Sequence, residues 1–118
     1  MTGSVETVRT YNEAWASGDI AAARALIADD LAFRGPMDTF TNAEDMVAAL
    51  TGLAQVTTGI VWHIIFADED GVNVAAFYRL DTAAGALECA EWHVVRDGLI
   101  RSIELRFDPR PLLAAQPG

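Results

Sequence analysis

Cysteine is almost missing from this chain of 118 residues: Cys89 stands alone. That excludes an intramolecular disulfide and any cysteine-based metal cluster. Positive charge is scarce as well. Eight basic residues face 17 acidic ones, giving a formal net charge of −9. Nucleic acid and anionic membrane surfaces are both held by basic patches, so neither is an expected partner. No stretch approaches the roughly 20 apolar residues of a membrane span, and no apolar run follows a basic start as in a secretory signal. A glycine-rich phosphate loop, a nucleophile elbow and a Ser-His-Asp arrangement are missing too. The two histidines, His63 and His93, show no spacing that resembles a ligand motif, so no metal and no cofactor is expected. A cytoplasmic protein is the expectation these absences leave.

What is present is apolar material. Hydrophobic residues make up 52% of the chain, which is more than a disordered segment carries. The length suits one domain, 1–118, with an ordered core over 5–108 and a loosely ordered tail over 109–118 that contains Pro109, Pro111 and Pro117. Val5, Val8, Tyr11 and Trp15 recur at helical steps and form one buried stripe. Gly18 suits the stop of that helix, and Asp19 the N-cap of a second helix over 21–28 with Leu26 and Ile27 inward. A short strand over 31–33 ends at Gly35-Pro36. Thr41-Asn42-Ala43-Glu44 has capping-box spacing before Met46, Val47 and Leu50, so a third helix starts there and stops at Gly52.

Beyond Gln55 the period changes to that of strands, over 59–67, 72–81, 86–95 and 99–107, separated by short turn signals. Short connections make neighbours antiparallel. Several runs are apolar on both faces, as Val74, Ala76 and Leu80 oppose Ala75 and Phe77. Three helices can cover one face of such a sheet and leave the other to a partner. The fold class is α+β, three helices followed by a β-meander.

The turn Arg96-Asp97-Gly98 decides where Glu91 points. A two-residue type I′ loop at Asp97-Gly98 sets Glu91 against Glu104 on the polar side. A three-residue loop with Gly98 as a bulge sets it opposite Ile103, on the face of Leu105 and Phe107. The like-charge pair disfavours the first register, while a cleaner apolar face of Trp92, Val94, Ile103 and Leu105 favours it.

The stretches Tyr11-Asn12-Glu13-Ala14-Trp15-Ala16-Ser17-Gly18-Asp19 and Ala28-Asp29-Asp30-Leu31-Ala32-Phe33, with the hairpin Ala90-Glu91-Trp92-His93-Val94-Val95-Arg96-Asp97-Gly98-Leu99-Ile100, resemble the nuclear transport factor 2-like superfamily. Within it the chain is most similar to the SnoaL-like polyketide cyclases. The resemblance spans nearly the whole domain. It implies a cone-shaped curved antiparallel sheet of the cystatin-like type, wrapped around a long N-terminal helix, with an apolar pocket between them. It also implies a homodimer through the outer sheet face, the three-residue hairpin loop, and an inward Glu91. Set beside the ketosteroid isomerases, Tyr11 and Glu91 fall where two donors serve a developing oxyanion, whereas the position of the general base falls on Gly35. Set beside the limonene epoxide hydrolases, the last-strand acid falls on Leu105.

Glu91 is the leading candidate for acid–base chemistry, since a carboxyl in an apolar pocket has a raised pKa. Its structural readings are an exposed strand residue or an ion pair with Arg79. Tyr11 can donate into the pocket or be a core tyrosine. His63 and His93 are candidate bases. Trp15, Phe33, Met37, Phe40, Phe77, Arg79, Ile103, Leu105 and Phe107 are the expected ligand-binding residues, each with core packing or pairing as its plainer reading. Trp92 suits a dimer interface. The expected activity is that of a cofactor-independent isomerase, cyclase or hydrolase of small hydrophobic molecules. The alternative is a non-catalytic ligand-binding or dimerisation domain.

Overall fold

The computed structural model describes residues 3–115. It contains α1 (Ser4–Ala16), α2 (Ile20–Arg24), β1 (Ile27–Arg34), β2 (Thr39–Phe40), α3 (Ala43–Val56), β3 (Thr57–Ala67), β4 (Asn73–Thr82), β5 (Gly85–Arg96), β6 (Leu99–Arg106) and α4 (Arg110–Ala115). The six strands form one sheet in the order β2-β1-β6-β5-β4-β3. All neighbours are antiparallel except β1 and β6, which run parallel. The meander is thus β3 to β6, and the chain start returns to its far edge. Among the described residues, no helix is long and apolar enough to cross a membrane.

Local chemistry explains most boundaries. Gly18, at φ 91°, ends α1 where a side chain would be strained. Asp19 caps α2 by accepting from the Ala22 N–H. That helix is only five residues long, because Leu26 leaves the helical path and Ile27 opens β1 instead. The capping box before α3 is shifted by one: Asn42, not Thr41, accepts from the Asp45 N–H and donates to its carboxylate. Gly52 does not stop α3, which continues to Val56; glycine inside a helix costs about 1 kcal/mol, and the packing of Met46, Leu50 and Leu53 on the core outweighs it. The segment after Pro109 is ordered as α4, with Arg110 N–H bonded to Asp108 and Leu112 packed on the core. Proline is tolerated in a first helical turn, which is where Pro111 lies. The rest of the expected tail, with Pro117, lies outside the described residues.

The β5–β6 hairpin combines elements of both loop readings. Asp97 and Gly98 have φ of 55° and 74°, a two-residue turn in which Arg96 pairs with Leu99 and Val95 with Ile100. The three-residue loop implied by the resemblance is therefore corrected. Val94 then pairs with Ser102, so Arg101 is an extra residue, a bulge one step past the turn. Beyond it the register has slipped by one, and Glu91 lies opposite Leu105 and His93 opposite Ile103. The alternation of β5 sets Glu91 on the inward face of Val95 and His93, and the bulge in β6 brings Ile103 and Leu105 onto that same face.

Alternate residues of β4 and β5 are buried against the helices: Val74, Ala76, Tyr78 and Leu80 on one strand, Leu87, Cys89, Glu91, His93 and Val95 on the other. With Val8, Tyr11 and Trp15 of α1 and Met46 and Leu50 of α3 they form the core. The other face is bare. Phe77 is 41% and Trp92 51% exposed there, beside Ile64 and Phe66.

Candidate active site

A cavity of about 370 Å³ opens between α1, α3 and the covered face of the sheet. Its apolar wall comes from Trp15, Phe33, Phe40, Leu50, Leu87, Leu105 and Phe107 among others, and Met37 lies at the turn after β1. Leu112 of α4 completes one side. Three polar groups break this surface in the interior: Tyr11, Tyr78 and Glu91.

Glu91 is 7% exposed and His93 fully enclosed. A directed chain of hydrogen bonds holds the carboxylate. The Trp15 indole, which can only donate, gives its Nε1–H to Asn12 Oδ1 at 2.9 Å. This fixes the amide's orientation, so Asn12 Nδ2 donates to Glu91 Oε1 at 3.2 Å and to the Val8 carbonyl at 3.2 Å. His93 Nε2 approaches the same Oε1 at 3.2 Å, but out of line for a hydrogen bond, and neither of its ring nitrogens has a partner. The contact is one of proximity.

The surroundings tune the neighbours. Burial, and then the Glu91 charge, hold the Tyr11 hydroxyl well above its ordinary pKa. Tyr78 is raised in the same way, by burial first and Glu91 second. Both phenols therefore stay protonated and serve as donors. Burial and Glu91 also push the Cys89 thiol up to about 12, which makes it a small apolar wall group rather than a nucleophile.

Tyr11, Glu91, Trp15, Phe33, Met37, Phe40, Leu105 and Phe107 all reach the cavity. Five expected residues do not. His63 is the extra residue of a bulge in β3, between the pairs Trp62–Tyr78 and Ile64–Phe77; its ring lies on the bare face, 2.9 Å from Glu88. Phe77 shares that face because it adjoins the inward Tyr78 on an alternating strand. Arg79 is there too, bonded to Asp81 at 2.8 Å and not to Glu91. His93 is enclosed behind Glu91, and Ile103 packs opposite it in the core, short of the cavity wall.

Sequence reasoning missed Asn12, which holds Glu91, and the cavity residues Tyr78, Leu80, Leu87 and the α3 wall of Met46, Leu50 and Leu53. A signal for Asn12 existed: an amide four residues after Val8 sits on the buried stripe of α1, where polar groups need partners. Tyr78 was legible from its parity with Ala76 and Leu80.

Comparison with known proteins agrees with this architecture. The model of the SnoaL-like domain matches residues 8–103. No curated protein sequence matches the chain. Among solved structures, a protein from Kribbella flavida is 22% identical with a TM-score of 0.88, over 98% of this chain and 94% of that one. A steroid delta-isomerase from Pseudomonas aeruginosa is 21% identical with a TM-score of 0.77, over 97% and 86%. An epoxide hydrolase from M. tuberculosis is 18% identical with a TM-score of 0.75, over 94% and 86%. At such identities the likeness is one of fold.

Proposed function

The chain belongs to the SnoaL-like domain family, and we propose that it binds a small hydrophobic molecule in the cavity and performs cofactor-independent acid–base chemistry on it, as an isomerase, cyclase or hydrolase. One observation carries the reading: a single enclosed carboxylate, Glu91, shares an apolar cavity with two phenols that stay protonated. Tyr11 and Tyr78 would donate to a carbonyl oxygen as negative charge develops on it. Glu91, rather than a histidine, would carry the proton, since His63 is on the bare face and His93 is not among the residues lining the cavity. The test is deuterium exchange next to the carbonyl of hydrophobic ketones in D₂O, followed by NMR. Catalysed exchange should fall about 10²-fold or more in Glu91→Gln. Exchange that is equal in both forms would remove Glu91 from the mechanism.

A second reading, a ligand-binding or dimerisation domain without catalysis, is favoured by Gly35, which stands where the ketosteroid isomerases have their general base. A carboxylate is absent there, and a Cβ would stand 3.0 Å from the Phe33 ring. Dimerisation through the bare face, by a pair located in the cytoplasm, belongs to this proposal. Exposed Ile64, Phe66, Phe77 and Trp92 support it, since large aromatics are enriched in such interfaces. Sedimentation should give a dimer that Trp92→Glu dissociates; a monomer at every concentration would end that part of the proposal.

A further inference from the structure

Among the described residues, those lining the cavity include acids and no base. All eight basic residues of the chain are arginines, and none of them lines it. Several already face surface carboxylates: Arg24 with Asp29 and Glu44, Arg79 with Asp81, Arg110 with Asp108. The lining has two carboxylates instead, Glu91 within and the exposed Asp38 on the turn after β1.

An enclosed carboxylate is costly unless a counter-charge reaches it. Asn12 supplies a dipole, not a charge. His93 stands 3.2 Å from the same oxygen but out of line for a hydrogen bond, and among the described residues neither of its ring nitrogens has a partner. The position for a positive group therefore lies on the ligand side of Glu91. The rings of Tyr11, Trp15 and Tyr78 line the same space, and aromatic faces attract cations where water is excluded.

We propose that the pocket takes an organic cation: a small hydrophobic molecule bearing a protonated amine, whose ammonium group supplies the counter-charge that Glu91 lacks. The inference rests on the reading of this cavity as a ligand site and is independent of whether proton transfer occurs there. An ammonium donates charge-assisted hydrogen bonds to the carboxylate while its hydrocarbon body fills the apolar walls. A ligand carboxylate would meet Glu91 with like charge and find no cation to hold it. The net charge of −9 acts in the same direction, drawing cations in and slowing anions.

Three probes of one shape separate charge from fit: 2-naphthylmethylamine, 2-naphthylmethanol and 2-naphthoate, titrated calorimetrically into the full chain. The amine should bind about tenfold or more tightly than the alcohol, and the carboxylate should not bind measurably. In Glu91→Gln the amine should fall to the alcohol's affinity. An alcohol that binds as tightly as the amine overturns the cation and leaves the pocket standing. An amine advantage that survives Glu91→Gln belongs to the acidic surface at large and overturns it as well. If no probe binds, the pocket reading fails and this inference with it. Should Glu91→Gln not fold, NMR of the unaltered chain decides. The amine must move the Tyr78 and Cys89 amide signals; movement confined to Phe77 and Trp92 counts against the proposal.

Discussion

On the bare face of the sheet, His63 lies 2.9 Å from Glu88 and Arg79 lies 2.8 Å from Asp81. On the covered face, one residue away along the same strands, Glu91 has an amide and no arginine within reach. Aromatics divide in the same way, with Phe77 outside and Tyr78 inside. The two faces differ in parity alone, yet one is an exposed array of pairs and the other an apolar cavity around an enclosed carboxyl group. Among the described residues, arginine–carboxylate pairs lie where water weakens them, and none reaches the enclosed Glu91. That contrast is what the proposed ligand site on the covered face rests on.

The contrast can be tested with neighbouring residues. Tyr78→Ala should cost about 3–5 kcal/mol in chemical unfolding, as expected for a large enclosed aromatic. Phe77→Ala, one position along, should cost no more than about 1 kcal/mol in the monomer. Equal losses would mean that the faces are not distinct.

Alkaline pH offers a second separation. The Cys89 thiol is raised from 9.0 to about 12 in the fold, and Tyr11 and Tyr78 are raised as well. Above pH 9 the unfolded chain releases protons that the folded chain keeps. The unfolded state then binds fewer protons, so stability falls with rising pH, by up to about 1.4 kcal/mol per unit for each group. Melting midpoints taken from neutral pH upward should show this decline, and Cys89→Ala should reduce it. Bare-face groups should add nothing.

His63→Ala should have the smallest effect, about 0.5 kcal/mol or less by urea unfolding, because its pair with Glu88 is exposed. It should leave any ligand affinity untouched. A large loss of affinity would place His63 near the cavity after all.

Much of the fold was legible because local signals agreed with it. The stripe Val8, Tyr11 and Trp15 is the buried face of α1, and Gly18 and Asp19 stop and restart the helices as their chemistry dictates. The hidden features depended on pairing across strands. Two of the bulge residues, His63 and Arg101, have no adjoining glycine or proline to announce them, and each reverses the facing of the strand residues beyond it. The inward Glu91 was reached through a three-residue loop that the hairpin does not have, and nothing in the sequence showed that His63, a candidate base, lies on the bare face. The parallel union of β1 with β6 is non-local as well and left no mark in either segment. Asn12 was passed over because helical periodicity sorts residues by face and says nothing about the partner waiting there.

Leu112 is the last wall of the cavity to be laid down, from a six-residue helix near the C-terminal side. Whatever is fused or tethered beyond α4 consequently adjoins one wall of the proposed ligand site. Recombinant chains carrying a purification handle at that end and chains carrying it at the other should differ in ligand on-rate even when their stabilities match. Which end bears the handle thus becomes an experimental variable.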